Sequence, residues 1–310
     1  MPLESRSVWH NQGMPNKPAH TKAILLAVFI TFLWSTSWIL IKFGLRNDLP
    51  ALSFAGLRYT TAFVCLSIFV FANPKERANL KRLTRADWGW LALLGLIVIT
   101  LTQGAQFVGL AYLPANMVSL ILNTTSMFVG LAGIYFLKES PSRLQWLGIA
   151  LTLAGVGVYF LPISLSGALG VGLFAAVLTM LGNTASSLLG RKINLQDHLS
   201  PLIVTFVSMG IGSVVLLAIG AVTQGVGHPS LGDWAIIAWL AVVNTAFAFT
   251  VWNHTLQTLT AVESSIINSL MMPQIAIMAW VFLGETIGGK EIVGLILVGV
   301  GVLVVQLRKR

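Results

Sequence analysis

The sequence predicts an all-α membrane protein of ten transmembrane helices, arranged as two inverted five-helix repeats with both termini in the cytoplasm. Three observations lead to this fold class: the scarcity of charge, the length of the uncharged runs, and a self-similarity at a spacing of 146 residues. Only 9% of the 310 residues are charged and 56% are hydrophobic, whereas a soluble domain carries about a quarter charged residues. The chain lacks the polar surface of a soluble protein and is expected to lie in lipid.

Long uncharged runs set the number of helices. A spanning helix needs about 20 predominantly apolar residues, and the uncharged runs 88–137 and 144–190 contain 50 and 47 residues, so each holds two spans. Short turns rich in Pro, Gly and Ser divide the runs. A barrel is not predicted, because barrel strands are short and alternate apolar with polar residues. The predicted helices cover residues 22–45, 51–72, 88–111, 115–137, 143–161, 168–191, 200–222, 232–256, 261–283 and 288–307.

The distribution of basic residues orients these helices. With a cytoplasmic N-terminus, 15 of the 19 Lys and Arg residues fall in cytoplasmic segments; only Lys42, Arg46 and Lys290 lie outside, and Arg58 lies inside a span. This bias follows the positive-inside rule and predicts a multi-pass protein of the plasma (cytoplasmic) membrane. Residues 1–21 are polar and are expected to form a disordered cytoplasmic tail. The net charge of +9 is therefore topological, and no nucleic-acid partner is predicted.

The chain repeats itself at a spacing of 146 residues. The stretch "ADWGWLALLGL" at 86–96 aligns with "GDWAIIAWLAV" at 232–242, and "FLKES" aligns with "FLGET" further on. The two repeats are expected to cover residues 22–161 and 168–307. Each holds five predicted spans, an odd number, so the two repeats must cross the membrane in opposite orientations. Inverted repeats are typical of transporters, whose sites lie between the repeats near the middle of the bilayer.

Several motifs resemble those of one family. The spacing of Trp34, Trp38 and Lys42 is W-x3-W-x3-K, and P-x7-R follows at Pro50 and Arg58. Near its end each repeat carries "FLKES" or "FLGET" and then a Gly-rich helix. Together these features resemble the EamA family of the drug/metabolite transporter superfamily, over nearly the whole chain. The resemblance implies a ten-helix bundle that exports or exchanges small metabolites through a central cavity.

The first predicted helix presents aromatic and hydroxyl side chains on one face. Trp34 and Trp38 are four residues apart and share a face, with Ser37 beside them. Trp34 lies well inside the span, whereas interfacial tryptophans lie at span ends. We expect the two tryptophans to form a wall of the substrate cavity, although burial against neighbouring helices would give the same pattern. Ser35 stands where the family often has glycine, so the contacts of this helix are expected to differ.

Two basic residues mark the first pair of helices. Lys42 lies within a turn of the outer end, where its ammonium group can reach the lipid headgroups, so snorkelling is favoured over a gate or a substrate contact. Arg58 lies seven residues past Ala51, about 10 Å deep by helical rise. A charge there costs about 2.5–3.5 kcal/mol on insertion scales, so an interior partner is expected. A gating or structural role is favoured for Arg58, and binding of a substrate carboxylate is the alternative.

Polar residues inside the other predicted helices form a further group. Each alone is explained by a hydrogen bond between helices, but as a set they predict a polar lining of the substrate cavity. The set comprises Gln103, Gln106, Asn123, Thr124, Asn183, Asn244, Asn268 and Gln274. Pro273 frees a carbonyl in mid-helix and is predicted to form a hinge or an inert kink. Gly148 and Gly155 in one repeat, and Gly294 and Gly301 in the other, share a helix face and predict close helix packing.

The sequence disfavours several classes of function. It contains no G-x-x-x-x-G-K-[ST] loop and no H-E-x-x-H motif, so neither ATP hydrolysis nor proteolysis is predicted, and the chain is not expected to be an enzyme. Cys65 is the only cysteine, which excludes an internal disulfide and a cysteine metal cluster. No metal and no cofactor is predicted.

A secondary transporter is the favoured function. By alternating access it would export a small polar metabolite, with an amino acid or a derivative favoured by the amides, hydroxyls, tryptophans and nearby cations. A proton-coupled exporter of drugs or cations is the alternative, although no acid lies within residues 23–41. A membrane receptor or scaffold would not need an inverted repeat that encloses polar groups. The predicted partners are the small-molecule substrate and the lipid bilayer; protons as coupling ion, and a monomer or a homodimer, stay open.

Overall fold

A computed structural model describes the chain over residues 17–125, 127–129, 131, 143–160, 167–194, 199–256, 258–259, 264 and 267–306. The described residues form helices joined by turns, and they contain no strand. The helices are α1 Lys17–Arg46, α2 Ala51–Ala72, α3 Pro74–Lys81, α4 Arg85–Tyr112, α5 Ala115–Asn123, α6 Arg143–Phe160, α7 Gly167–Asn194, α8 Pro201–Gln224, α9 Leu231–Thr255, α10 Ile267–Leu283 and α11 Gly289–Gln306.

Several of these helices are built to cross a membrane. Among the described residues, α1, α2, α4, α7, α8 and α9 are long and apolar enough to do so, and α5, α6 and α10 contain shorter apolar helices. Large apolar side chains cover the outside of the bundle: Phe69, Phe174 and Trp280 are 64%, 70% and 62% exposed. Lipid solvates such a surface, whereas water does not. The protein is therefore a multi-pass membrane protein.

The observed helices differ from the predicted ones at a few points. α1 begins at Lys17, five residues before its predicted start at residue 22. The short helix α3 was not predicted, because its charged sequence was assigned to a loop; Asn73 caps it by accepting a hydrogen bond from the Lys75 amide, at 3.0 Å. Parts of the prediction lie outside the described residues, namely 1–16 of the tail, 126, 130 and 132–137 of the fourth predicted helix, 161 of the fifth, 261–263 and 265–266 of the ninth and 307 of the tenth.

α4 and α9 begin with the same hydrogen-bonded cap. The Thr84 hydroxyl accepts from the Asp87 amide at 3.2 Å, and the Asp87 carboxylate accepts from the Thr84 amide at 2.8 Å. Ser230 and Asp233, which lie 146 residues later, make the same two bonds at 3.2 and 2.9 Å. Such a capping box satisfies two amides that a helix start would otherwise leave unpaired. The repeat in the sequence is thus matched by a repeat in local structure.

A π-helical segment interrupts each of these two helices. The segments are Leu96–Gln103 in α4 and Val242–Phe247 in α9, and their first residues are again 146 positions apart. In each segment a threonine hydroxyl donates to the carbonyl five residues earlier: Thr102 to Ile97 at 2.6 Å and Thr245 to Leu240 at 2.8 Å. π-Helical segments within α-helices occur frequently at functional sites.

α2 and α8 pack backbone against backbone. A Cβ atom at Gly56 would lie 2.5 Å from Leu217 Cα, and one at Gly220 would lie 2.6 Å from the Ser53 amide nitrogen. Because no side chain fits there, glycine is required at both positions. Ser53 of α2 faces Gly220 of α8, and Gly56 faces Leu217. Residue numbers therefore rise along one helix as they fall along the other, so the two helices are antiparallel.

α6 and α11 pack in the same way through the glycines singled out in the sequence. A Cβ atom at Gly155 would lie 2.8 Å from the Gly294 carbonyl oxygen, and one at Gly301 would lie 2.7 Å from the Gly148 carbonyl oxygen. The predicted glycine packing is therefore confirmed. The pairing of Gly155 with Gly294 and of Gly148 with Gly301 also makes this pair antiparallel.

α1 lies between the two halves of the chain, in contact with α4, α5, α9 and α10. At its C-terminal end several turns meet. Asn47 Nδ2 donates to Asp233 Oδ1 at 2.7 Å, Arg46 donates to the Leu283 carbonyl oxygen at 3.1 Å, and the Ala115 amide donates to Glu285 at 2.7 Å. These bonds bring the α1–α2, α4–α5, α8–α9 and α10–α11 turns to one end of the bundle, which we call the Lys42 end.

Candidate functional site

Three consecutive residues of α1, namely Trp34, Ser35 and Thr36, form hydrogen bonds with the second half of the chain. Trp34 and Thr36 bond to Asn244. The Trp34 indole N–H donates to the Asn244 carbonyl oxygen at 3.1 Å. Asn244 Nδ2 in turn donates to the Leu33 carbonyl oxygen and, at 3.2 Å, to the Thr36 hydroxyl. Asn244 is fully buried and belongs to the π-helical segment of α9. The widened turn of that segment therefore faces α1.

Ser35 makes the neighbouring contact, to α10. Its buried hydroxyl lies 2.8 Å from Gln274 Oε1 and 2.8 Å from the Thr31 carbonyl oxygen. A hydroxyl has one proton to donate, so these two acceptors share it. Glycine, which the family often has here, would lack this hydroxyl. The departure from the family pattern thus adds a polar link between the halves.

Arg58 is buried in the middle of the bundle, with 3% of its surface exposed. Its Nε donates to the Thr245 hydroxyl at 2.9 Å, and its guanidinium carbon lies 5.0 Å from the Tyr59 ring centroid and 5.8 Å from that of Phe107. Cation–π contacts of this kind contribute about 2 kcal/mol when desolvated. No carboxylate of the described residues forms an ion pair with Arg58. Among the described residues, its charged guanidinium group therefore contacts neutral groups, a hydroxyl and two aromatic rings.

These contacts continue to α4. The Tyr59 hydroxyl donates to Gln103 Oε1 at 2.7 Å, and Tyr59 itself is buried. Bonded or adjacent residues thus form one continuous series across the bundle, which we call the polar chain. Its members are Gln274, Ser35, Trp34, Thr36, Asn244, Thr245, Arg58, Tyr59 and Gln103.

One atom of the polar chain is left without a partner. Asn244 Oδ1 is buried and accepts no hydrogen bond from the described part of the chain. A buried acceptor without a donor lowers the stability of the folded protein by about 1–3 kcal/mol. An incoming N–H or O–H group of a ligand would satisfy it.

Two further candidate residues lie beside methionine sulfur atoms. Asn123 Nδ2 lies 2.8 Å from Met272 Sδ, and the Thr124 hydroxyl lies 2.9 Å from Met180 Sδ. A thioether is a weak acceptor, so the Asn123 amide is held weakly there, whereas the Thr124 hydroxyl also donates to the Ile121 carbonyl oxygen at 2.6 Å. They link the end of α5 to α10 and to α7, without a bond to the polar chain.

The remaining candidates on α1 and α4 are buried among other side chains. The Ser37 hydroxyl donates to the Trp34 carbonyl oxygen at 2.6 Å, and Trp38 belongs to the main apolar core. Gln106 is also buried. Of the two tryptophans, Trp34 alone reaches the polar chain. It packs against Trp252, with ring centroids 5.0 Å apart.

Three further candidates are not members of the polar chain. Asn268 and Pro273 are exposed, and Asn183 is half-buried and bonded through its backbone carbonyl to Ser187. Pro273 lies in α10 immediately before Gln274, which is in the polar chain. The predicted hinge therefore adjoins the contact between α1 and α10.

Lys42 was expected to snorkel towards the lipid headgroups. Its ammonium group is half-buried and donates to the carbonyl oxygens of Leu110 and Leu113, at 2.9 and 2.8 Å. Both carbonyls are at the C-terminal end of α4, where a helix leaves carbonyls unpaired and carries partial negative charge. Lys42 thus caps α4.

The sequence did not point to several members of the polar chain. Thr36, Thr245 and Tyr59 were not singled out, because hydroxyl residues are common in membrane helices and usually bond their own backbone. Their position beside Trp34, Asn244 and Arg58 was the only signal available. The π-helical segment that turns Thr245 towards Arg58 has no recognisable sequence pattern.

Comparison with known proteins now identifies the family. A model of the EamA-like transporter family matches residues 21–161 and, a second time, residues 170–307. The chain belongs to the EamA-like transporter family. The double match covers both halves that the polar chain joins.

Relatives of the family extend over most of the chain. A protein of Archaeoglobus fulgidus named an uncharacterized transporter is 27% identical over 76% of this chain and 81% of its own length. A probable amino-acid metabolite efflux pump of Salmonella typhimurium is 26% identical over 90% and 93%. A crystal structure 16% identical in sequence covers 92% of this chain and 96% of its own, with a TM-score of 0.64. At that identity the likeness shows a shared fold.

Proposed function

We propose that this family member is a secondary active transporter that works by alternating access and exports a small polar metabolite, an amino acid or an amino-acid derivative. The observation that carries the proposal is the polar chain, in which Trp34, Ser35 and Thr36 of the first half bind Asn244 and Gln274 of the second. Such side-chain bonds can be exchanged for bonds to a substrate. The name of the Salmonella relative, a probable amino-acid metabolite efflux pump, supports the substrate class.

We propose ten membrane crossings in two inverted repeats, with both termini on the cytoplasmic side of the cytoplasmic membrane. In this arrangement α2 and α8 are the second helices of the repeats, and α6 and α11 are the last. Both pairs are antiparallel and touch through glycine. Contact between equivalent, oppositely directed helices is what a two-fold axis in the membrane plane produces. The positive-inside bias supports the orientation.

The substrate site is proposed at the polar chain. The unpartnered Asn244 Oδ1 would accept a hydrogen bond from a substrate amino group, and Trp34 with Phe249 and Trp252 would pack against the apolar part of the substrate; their ring centroids lie 5.3 and 5.0 Å from that of Trp34. Asn123, Thr124 and Gln106 would complete the lining on α4 and α5. Pro273 would let α10 bend away from α1 when the site opens.

Arg58 is proposed to keep the two repeats together while the polar chain is intact, and not to select the substrate. Its bond to Thr245 joins α2 of the first repeat to the π-helical segment of α9 in the second. The two aromatic rings that surround the guanidinium stabilise it without a carboxylate. A residue that keeps the two repeats together serves every substrate equally.

Transport by the purified protein tests this function. Proteoliposomes are loaded with one L-amino acid and mixed with the labelled form of the same one, across a panel of amino acids and cationic dyes. We expect exchange of at least one amino acid, and we expect Trp34→Phe to reduce it. Trp239→Phe is the matched control, because Trp239 is 55% exposed on the outside of α9.

The panel also separates the alternative functions. Dye movement driven by a pH gradient, with no exchange of any amino acid, would make the protein a proton-coupled drug or cation exporter. Binding of a ligand without any movement across the membrane would favour a receptor. Either result ends the metabolite-exporter proposal.

A further inference from the structure

A cavity opens at the Lys42 end, apart from the polar chain. Its volume is about 350 Å³, which is enough for a small ligand. It lies between the end of α1, the α4–α5 turn and the segment that follows α10. The residues used below line its wall: Lys42, Arg46, Leu110, Ala111, Tyr112 and Glu285.

The two cations of this cavity are bonded to neutral groups. Lys42 donates to two carbonyl oxygens, those of Leu110 and Leu113, and Arg46 donates to the carbonyl oxygen of Leu283. An ammonium group has three N–H donors and a guanidinium has five, so both side chains retain donors. Neither forms an ion pair with an acid of the described residues. The wall therefore carries two cations, neither of which is in a salt bridge with a carboxylate of the described residues.

Glu285 lies on the same cavity wall and is bonded to the start of α5. Its two carboxylate oxygens accept hydrogen bonds from the Ala115 and Asn116 amides, at 2.7 and 3.1 Å. These amides begin α5, and a helix N-terminus stabilises a negative charge. A carboxylate has about four acceptor positions, so Glu285 can still accept from a ligand. The cavity wall thus presents two cations and one anion, each with hydrogen-bonding positions left for a ligand.

We propose that this cavity is a second ligand site, specific for small carboxylates and above all for zwitterionic α-amino acids. The ligand carboxylate binds Lys42 and Arg46, and the ligand ammonium group binds Glu285. Charged hydrogen bonds of this kind are shorter and about twice as strong as neutral ones. The proposal rests on the transport function proposed above, since the site would hold the substrate at one mouth of the path.

Protection of a single cysteine tests the site without measuring transport. In a Cys65→Ala background, Ala111→Cys places a thiol on the cavity wall, and Val226→Cys places a control thiol in the exposed α8–α9 turn at the same end. Each protein is reconstituted in phosphatidylcholine nanodiscs, so that no anionic lipid competes. The labelling rate with a maleimide is then measured with each L-amino acid, with its carboxamide, and with the matching acid that lacks the amino group.

We expect at least one amino acid to slow the labelling of Ala111→Cys several-fold, with no effect of its carboxamide and none on Val226→Cys. Protection should be lost in Lys42→Gln and in Arg46→Gln, and retained in Lys290→Gln, whose lysine lies outside the cavity wall. Glu285→Gln should weaken protection by the amino acid more than by the acid without the amino group. Failure of every amino acid to protect, or equal protection by the carboxamide, refutes the site.

The same preparations keep this proposal distinct from the transport function. Amino-acid exchange in proteoliposomes without protection of Ala111→Cys would remove the second site and leave the transporter intact. Protection without exchange would establish the site and overturn the proposed function.

Discussion

Two kinds of contact join the halves of the bundle, and they differ in chemistry. The α2–α8 and α6–α11 pairs meet through glycine, with backbone atoms in direct contact. The α1 contacts with α9 and α10 are made by side-chain hydroxyl, indole and amide groups. The glycine contacts are van der Waals contacts and offer no side-chain hydrogen-bonding group that a substrate could take over. A side-chain hydrogen bond can be exchanged for one to water or to a substrate at little net cost.

This difference suggests which parts of the molecule move. The glycine pairs would keep the same contacts throughout the transport cycle and act as an axis, whereas the polar chain would open and close.

Gly155→Leu should prevent stable folding. A side chain there would meet the Val298 amide nitrogen and the Gly294 carbonyl oxygen, at 2.7 and 2.8 Å from Cβ, and overpacking of this kind costs about 3 kcal/mol or more when backbone must shift. Gly157→Leu is the matched control on the same helix, because its Cβ would meet nothing within 4 Å. Thermal unfolding in detergent measures both. Equal melting temperatures for the two variants would show that α6 and α11 are not held by glycine.

Arg58→Ala should abolish transport of every substrate to the same extent, because the link between α2 and α9 is lost. Arg58→Lys should restore little, since an ammonium group cannot reproduce the planar contact with Tyr59. Arg77→Ala, at an exposed arginine of α3, is the control. The initial rate of exchange is measured for carboxylated and uncharged substrates. Selective loss of the carboxylated ones would instead make Arg58 a binding residue.

Asn244→Ala should reduce exchange strongly while lowering the free energy of unfolding by only about 1 kcal/mol, the typical effect of one hydrogen bond. Asn253→Ala removes an amide from the same helix that bonds Thr205, at 2.7 Å, outside the polar chain. The pair is compared by exchange rate and by melting temperature. If Asn253→Ala impairs exchange as much as Asn244→Ala, the polar chain has no special part in transport.

Asn268→Ala should leave stability unchanged and should change the exchange rate by no more than a small factor. The reason is that the Asn268 side chain is exposed in this arrangement. Measurement of substrate affinity sharpens the point. A large loss of affinity would place Asn268 in the cavity that forms when the polar chain opens, as the sequence predicted.

The sequence was informative where backbone and composition decide the structure. The apolar runs predicted helices and the glycine spacing predicted the α6–α11 contact. The 146-residue repeat aligns Asp87 with Asp233, and the structure places both in capping boxes. These features depend on local pattern alone. The same patterns carry the family resemblance, which the double match of the family model bears out.

The site was only partly accessible from the sequence, for physical reasons. Trp34, Arg58, Gln103, Asn244 and Gln274 were singled out and lie in the polar chain. Which partners they have depends on helix rotation, and the π-helical segment of α9 sets that rotation without any sequence signal. Residues outside the candidate set, such as Thr245 and Ser35, complete the chain because they happen to face those groups.

Accessibility of the polar chain from each side of the membrane tests the central claim most directly. Thr36→Cys is made in the Cys65→Ala background, reconstituted, and labelled from either face with a membrane-impermeant maleimide. Alternating access predicts labelling from both faces, with a ratio that shifts when a transported amino acid is present on one side. Labelling from one face only, or from neither, whatever substrate is added, would contradict a transporter that opens at this contact.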